Sequence, residues 1–263
     1  MAYLTEGFFI PYSTDVLGKP KKKVKKSEEK QTTHNGIGTL GEKSLHAALK
    51  DWYAQRGDHI ESEVDGFHID IIRHNLLVEI QTANFSSLKR KLTRLIEKHP
   101  LRLVYPIAQE KWIVRLAADG KTKLGRRKSP KRGHIFHLFQ ELVSIPDLIM
   151  NPNFSLEVLL IQEEEIRCDD GTGSWRRKGL SIVDRCLIEV LSKHLFREPP
   201  DFQSLIPPDL KEPYSTKELA ESIEQPRWIA QKMAYCLRSM GVLEIVGKNG
   251  NSLLYSTSNT ART

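Results

Sequence analysis

Two acids stand inside runs that are otherwise almost wholly apolar: Asp70 within Phe67-His68-Ile69-Asp70-Ile71-Ile72, and Glu79 within Leu76-Leu77-Val78-Glu79-Ile80-Gln81. Runs this short, rich in Ile, Leu, Val and Phe and set off by Asp65-Gly66 and His74-Asn75, read as β-strands joined by tight turns. An ionised carboxylate inside such a strand costs several kcal/mol unless something compensates it. A hard divalent cation compensates two or three converging carboxylates at once. Alternation sets Leu77, Glu79 and Gln81 on one strand face and Val78 and Ile80 on the other. A third acid, Glu42, falls on the apolar stripe of a helix, because 42, 45, 49 and 52 share one face at 3.6 residues per turn. The plain alternative is a set of edge-strand acids facing water; agreement among three acids in apolar runs favours a metal site.

The surrounding pattern is α/β. A helix runs from Leu40 until Gly57 stops it, and β-type runs follow at Ile60 to Val64, Phe67 to Arg73 and Leu76 to Thr82. A second helix, Ser86 to Lys98, turns Leu88, Leu92, Leu95 and Ile96 to one side and Lys89, Arg90, Lys91, Arg94 and Lys98 to the other. Leu101 to Ile107, ended by Pro106, and Lys111 to Leu116 read as two further strands. Helix, three strands, helix, strand, strand predicts a mixed sheet flanked by helices. Further on, the spacing predicts a helix over Ile135 to Ile145, a strand over Leu156 to Ile166 and an amphipathic helix over Leu180 to Leu195. Ser215-Thr216-Lys217-Glu218 is a capping box, Pro226 suits the first turn of a second helix, and Lys248-Asn249-Gly250-Asn251 turns a final hairpin. That order is the winged helix-turn-helix pattern. The division expected is a flexible basic arm over 1–35, an α/β domain over 36–195 with its core at 38–116, and a small winged helix domain over 196–263.

The chain has 263 residues and a net charge of +7, and the positive charge is concentrated. Lys19 to Lys30 holds seven lysines against two glutamates, and Asp119 to His134 holds seven Lys and Arg against one aspartate. The remainder is mildly acidic. Such segments grip phosphates without reading sequence. For the arm, a solvated tail is the plainer reading, although Pro20 to Lys26 also looks like a nuclear localisation signal. Residues 119–134 read as an exposed basic loop. The expected nucleic-acid contacts are Lys89, Arg90 and Arg94 on the second helix, Arg126, Arg127 and Lys128 in the basic loop, and Arg227, Lys232 and Arg238 on the recognition-type helix. Residues 196–263 carry eight basic and eight acidic side chains, so that helix acts with the loop or serves as a protein-docking module.

Other chemistries find little support. Three cysteines without a C-x-x-C pair argue for a reducing, cytoplasmic setting and against both a disulfide framework and a structural zinc. No apolar run is long enough to span a bilayer. Gly36 to Gly41 matches G-x-G-x-x-G without a preceding strand, so no nucleotide cofactor is expected. His134 and His137 lack further metal ligands, and His68, on the strand face of Asp70, reads as a partly buried structural histidine.

The arrangement Asp70…Glu79-x-Gln81 resembles the PD-(D/E)XK nuclease superfamily, with its restriction-endonuclease-like fold, over residues 38 to about 107. The resemblance implies a metal-dependent endodeoxyribonuclease. Asp70 and Glu79, with the Ile80 carbonyl, would hold Mg²⁺ or Mn²⁺, and Glu42 would be the extra acid of the preceding helix. Gln81 occupies the place usually held by lysine. An amide neither titrates nor carries charge, so it is restricted to orienting water, and Lys89 is the nearest candidate to supply the missing charge. The rival readings are a catalytically inert nuclease fold that binds DNA in a regulatory role, and a repair, recombination or transposition subunit active only beside a partner. Double-strand cutting would require two sites, hence a homodimer or a partner subunit.

Overall fold

The structure, a computed structural model, describes residues 40–258, with side chains from Ser44 onward. The basic arm, and the side chain of Glu42, lie outside the described residues. Seven strands form one mixed sheet: β1 (His59–Val64), β2 (Phe67–Arg73), β3 (Leu76–Ile80), β4 (Leu101–Leu116), β5 (Lys123–Lys128), β6 (Phe154–Cys168) and β7 (Ser181–Phe196). Their order is β1-β2-β3-β4-β6-β7, with β5 paired to β4. β4 runs parallel to both β3 and β6, and the other pairs are antiparallel.

Helices cover both faces. Helix α1 (Leu40–Tyr53) lays Leu45, Leu49 and Tyr53 on Ile71, Val78, Ile80, Val104, Leu159 and Ile161. Helix α2 (Phe85–Leu95) buries Phe85, Leu92 and Leu95 on the opposite side, with Leu77, Leu103 and Leu156 of the sheet. Short helix α3 (Phe139–Leu142) joins that second core. The same core continues into α4 (Thr216–Ser222), α5 (Arg227–Ser239) and the hairpin of β8 (Leu243–Asn249) and β9 (Ser252–Thr257). The Ser215 capping box forms as expected, Ser215 and Glu218 bonding reciprocally.

Four segments depart from the sequence reading. Leu101 to Leu116 is one strand, with Pro106 inside it. The reason is geometric. Gln81 N–H donates to the Val104 carbonyl, so alternate residues of β4 face β3, and Pro106 falls where β3 has already ended; its missing N–H leaves no partner unsatisfied there. The basic loop is partly strand β5, paired with β4 and tied down by the ion pairs Lys128–Glu110 (2.8 Å) on β4 and Arg126–Glu164 (2.5 Å) on β6, with the Arg126 guanidinium 3.9 Å from the Trp112 ring centroid. Beyond it, Ser129 N–H and Gly133 N–H bond the Lys111 and Ala108 carbonyls, so the ribbon runs back along β4. A Cβ on Gly133 would stand 2.5 Å from the Ala108 oxygen, so only glycine fits this approach. Residues 135–145 form a 3-10 turn, Ile135–Leu138, and then α3, ending before Pro146 opens another turn. Leu180 to Leu195 is strand β7, not a helix. Its register against β6 slips three times, leaving Val183, Ile188 and Leu191 as extra residues. These bulges break the two-residue alternation and leave apolar side chains three to four apart, which mimics a helix.

β4 and β6 also share a buried ionic cluster that the sequence reading missed. Lys111 Nζ lies 2.9 Å from Glu163 and 2.8 Å from Glu165, and Arg167 pairs with Glu165 at 2.6 Å. Both glutamates are buried. Removing the lysine leaves the buried Glu163 without a cation, while Glu165 keeps Arg167, so Lys111→Met is expected to cost about 3 kcal/mol of stability, read as a lowered urea midpoint at unchanged slope. A midpoint equal to wild type would show that the cluster is solvated.

Candidate functional site

The two strand acids come together because β2 and β3 part company. Their backbone pairing ends at Ile71 with Val78. One step further, the Asp70 carboxylate fills the fork: its Oδ2 accepts the Ile80 N–H at 2.8 Å and stands 3.2 Å from His46 Nε2 of α1. Gln81 N–H goes to β4, so Ile80, one residue earlier, addresses the β2 side. Glu79 projects from β3 and is only 7% exposed. Lys91 of α2 reaches across to it, Nζ lying 2.6 Å from Oε2, and also donates to the His68 carbonyl. Glu79 Oε2 has no other partner and no hydrogen bond of good geometry.

Asp70 and Glu79 therefore open into one cleft of about 500 Å³, lined also by Glu61, His68, Ile69 and Lys91. Glu61 stands in register opposite Asp70 and holds φ at +49°. That conformation costs a non-glycine residue of order 1 kcal/mol. Lys50 of α1 forms an ion pair with Glu61. His68 is exposed at the rim rather than partly buried in the core.

The environments drive the two carboxyl groups apart. Burial raises the Glu79 pKa above its ordinary value and the Asp70 charge adds to this, against the pull of Lys91. Burial pushes Asp70 the same way, but bonds from His46 and the Ile80 N–H outweigh it and hold Asp70 below the ordinary carboxylate value. His46 is raised in turn, chiefly by its bond to Asp70. One acid suited to staying ionised beside one readily protonated is an arrangement typical of acid–base sites.

Several expected site residues lie elsewhere. The Gln81 side-chain amide donates to the Ala83 carbonyl, two residues on, and does not line the cleft. Lys89 is exposed on the outer face of α2 with Arg90 and Arg94, so Lys91, not Lys89, brings the positive charge. Two residues along a helix is a rotation of about 200°, which decides between them. Lys232 is turned back onto the body, its Nζ donating to the Gln140 carbonyl at 3.3 Å, while Arg227 and Arg238 stay exposed. Arg126 and Lys128 are committed to Glu164 and Glu110; Arg127 has no ion-pair partner among the described residues. The His137 Nδ1 accepts the His134 N–H, and no three His, Cys, Asp or Glu converge on a metal position among the described residues. His46 was missed because a histidine one turn from Glu42 on a helix carries no signal until β2 is placed beneath it. All three cysteines are free, and no helix among the described residues is long and apolar enough to cross a membrane.

The chain belongs to the family described as Domain of unknown function (DUF8091), whose model matches residues 43–197. That span takes in the sheet from β1 to β7 and both carboxylates, and stops just past the last strand of the large sheet. The chain is also similar to a Treponema pallidum (strain Nichols) protein described as "Uncharacterized protein", 35% identical over 187 residues, which cover 71% of this chain and 74% of the relative. No solved structure matches the chain.

The His46–Asp70 pair makes stability depend on pH in a defined window. His46 is raised above its ordinary 6.5, so its share is fully present below that pH and is lost as pH rises through the raised value. Asp70 is depressed below 3.8, so its share is present above that pH and is lost as pH falls through the depressed value. In the presence of a chelator, His46→Ala is expected to lose about 1 kcal/mol between about pH 4 and 6.5. The difference should shrink at alkaline pH, where only the hydrogen bond of a neutral imidazole is left. A difference independent of pH would contradict the pairing.

Proposed function

We propose that this chain is a metal-dependent nuclease that hydrolyses phosphodiester bonds of DNA. The observation that carries the reading is the meeting of Asp70 and Glu79 at the fork between β2 and β3, with a lysine ammonium on one of them. The donor set suits Mg²⁺ or Mn²⁺. Both donors are hard carboxylate oxygens, Glu79 Oε2 is buried without a proper hydrogen bond, and Mg²⁺ takes one or two carboxylates while leaving positions for water and phosphate oxygens. Asp70 and Glu79, with the Ile80 carbonyl that the resemblance implies, would hold it. When bound, such an ion lowers the pKa of a water nucleophile and offsets charge on the phosphoryl oxygens.

The remaining roles fall to the chain's own side chains. His46 and the Ile80 N–H fix the Asp70 carboxylate and keep it ionised. Lys91, held by Glu79 and the His68 carbonyl, supplies the positive charge beside the scissile phosphate that Gln81 does not. Lys89, Arg90 and Arg94 lie on the exposed face of the same helix and contact flanking phosphates. The two C-terminal helices and their hairpin act as a winged helix, with Arg227 and Arg238 toward DNA. A homodimer or a partner subunit would supply the second site for cutting both strands. One observation favours a second reading, an inert nuclease fold that only binds DNA: the glutamine at the motif's last position is turned away onto Ala83.

Cleavage of plasmid DNA with Mg²⁺ or Mn²⁺ separates the two. The nuclease reading expects metal-dependent nicking by wild type, no detectable nicking by Asp70→Ala or Glu79→Ala, and a loss of roughly 10²-fold in Lys91→Ala. Gln81→Ala should stay within a few-fold of wild type. Equal activity in all the variants, or none in any, would overturn the reading.

A further inference from the structure

A second cleft lies on the same sheet, far from the carboxylates. It is lined by Arg115 of β4, Arg126 and Arg127 of β5, Arg167 of β6, and Arg176, Arg177 and Lys178 of the turn before β7. No acid is among its lining residues. Three of the seven cations are matched, Arg115 by Asp169, Arg126 by Glu164 and Arg167 by Glu165. Arg127, Arg176, Arg177 and Lys178 have no ion-pair partner among the described residues. Glu79 pairs with Leu103 on β4, so this cleft, at Ile113, lies about ten residues further along the strand, roughly 30 Å away at ~3.3 Å per residue.

Two apolar groups accompany the charge. Trp175, in the same short turn as Arg176 and Arg177, is 83% exposed, and the Arg176 guanidinium lies 5.5 Å from its ring centroid. Leu124 lines the cleft and is 53% exposed. The turn is built, not loose: Gly173 N–H bonds the Gly179 carbonyl at 2.8 Å, and Arg177 Nε donates to Leu180 at 3.1 Å. A Cβ on Gly173 would collide with the Leu180 carbonyl at 1.9 Å, so the closure depends on glycine. Unmatched guanidinium groups offer the forked donors that phosphates accept. An open indole beside them offers a stacking surface. In a duplex the base faces are already stacked on one another, whereas an unpaired strand presents them.

We propose that this cleft binds a single-stranded segment of nucleic acid, with Arg127, Arg176, Arg177 and Lys178 on the phosphates and Trp175 stacked on a base. The inference deepens the nuclease reading and rests on nucleic acid being its substrate. It places a single-strand tail or flap at the far end of the sheet from the cutting centre.

Fluorescence anisotropy tests it, using the full chain in EDTA with a labelled 20-nucleotide oligothymidine and a 20-base-pair duplex. Wild type is expected to bind the single strand, with affinity falling steeply as salt rises. The triple variant R176A/R177A/K178A is expected to lose at least ~10-fold and to show a shallower salt slope, by about 0.7 for each phosphate contact removed. Trp175→Ala is expected to lose at least ~5-fold at unchanged salt slope, and Trp175→Phe to recover most of it. Trp175, Arg176 and Lys178 are exposed, whereas Arg177 is half-buried with its Nε on the Leu180 carbonyl. R176A/K178A, which spares that bond, is therefore measured beside the triple variant and is expected to lose affinity in the same direction, and circular dichroism checks that the variants stay folded. Single-strand binding by the triple variant equal to wild type would overturn the inference. So would indifference to Trp175 with equal binding of the duplex, which marks a phosphate-only contact. Metal-dependent cleavage that persists without single-strand binding would sink this inference alone. Single-strand binding without any cleavage would sink the nuclease reading and leave the cleft standing.

Discussion

The separation of β2 from β3 after Ile71 and Val78 is the constraint on which the site depends. Were the ladder to continue, the Ile80 N–H would be consumed by β2 backbone and no room would remain between the two acids. Instead a side-chain carboxylate takes the place of a backbone carbonyl, and the fork opens next to a buried glutamate. Burial alone would neutralise both acids. The flanking helices oppose this: α1 places His46 against Asp70 and keeps its pKa low, while at Glu79 the Lys91 brought by α2 offsets only part of the effect of burial. A nitrogen group is thus brought to each acid from a different face of the sheet, and the two acids acquire different protonation behaviour.

The long strands β4, β6 and β7 serve a different end of the molecule. They carry the sheet well past β3, and the edge of β4 that β3 vacates is taken up by the cationic ribbon that begins as β5. Extending three strands this far requires accommodation. Pro106 sits where no partner strand needs its N–H, three bulges absorb the twist of β7, and Lys111 is folded between Glu163 and Glu165. The positive charge seen in the sequence is therefore not a solvated loop throughout. Part of it is neutralised by β4 and β6 acids, and the unmatched part gathers with the turn before β7.

What could be read from the residues followed from incompatibility between chemistry and setting. Asp70 and Glu79 were legible because charge in an apolar run demands an explanation, and the hairpins around them because Asp-Gly and His-Asn turns are local. Helices α1, α2, α4 and α5 were legible for the same local reason. Lys91 was visible on the basic face of α2, but five cations on that face look alike until the helix is docked. His46 gave no sign at all, since its partner lies 24 residues away on another element. Strand β7 was misread because its bulged residues, Val183, Ile188 and Leu191, are themselves apolar and imitate helical spacing. The cationic cleft was half visible: Arg126 and Arg127 belong to a charge run, whereas Arg115, Arg167 and Arg176 are scattered and meet only through strand pairing.

If the fork between β2 and β3 is the proposed cation site, Asp70 and Glu79 hold the ion together. Calorimetric titration of the chain with Mn²⁺, beside Asp70→Asn and Glu79→Gln, measures this without any assumption about substrate. A binding isotherm is expected for wild type that disappears in each variant while both remain folded. An isotherm unchanged by either substitution, or no heat from the folded wild type, would contradict it.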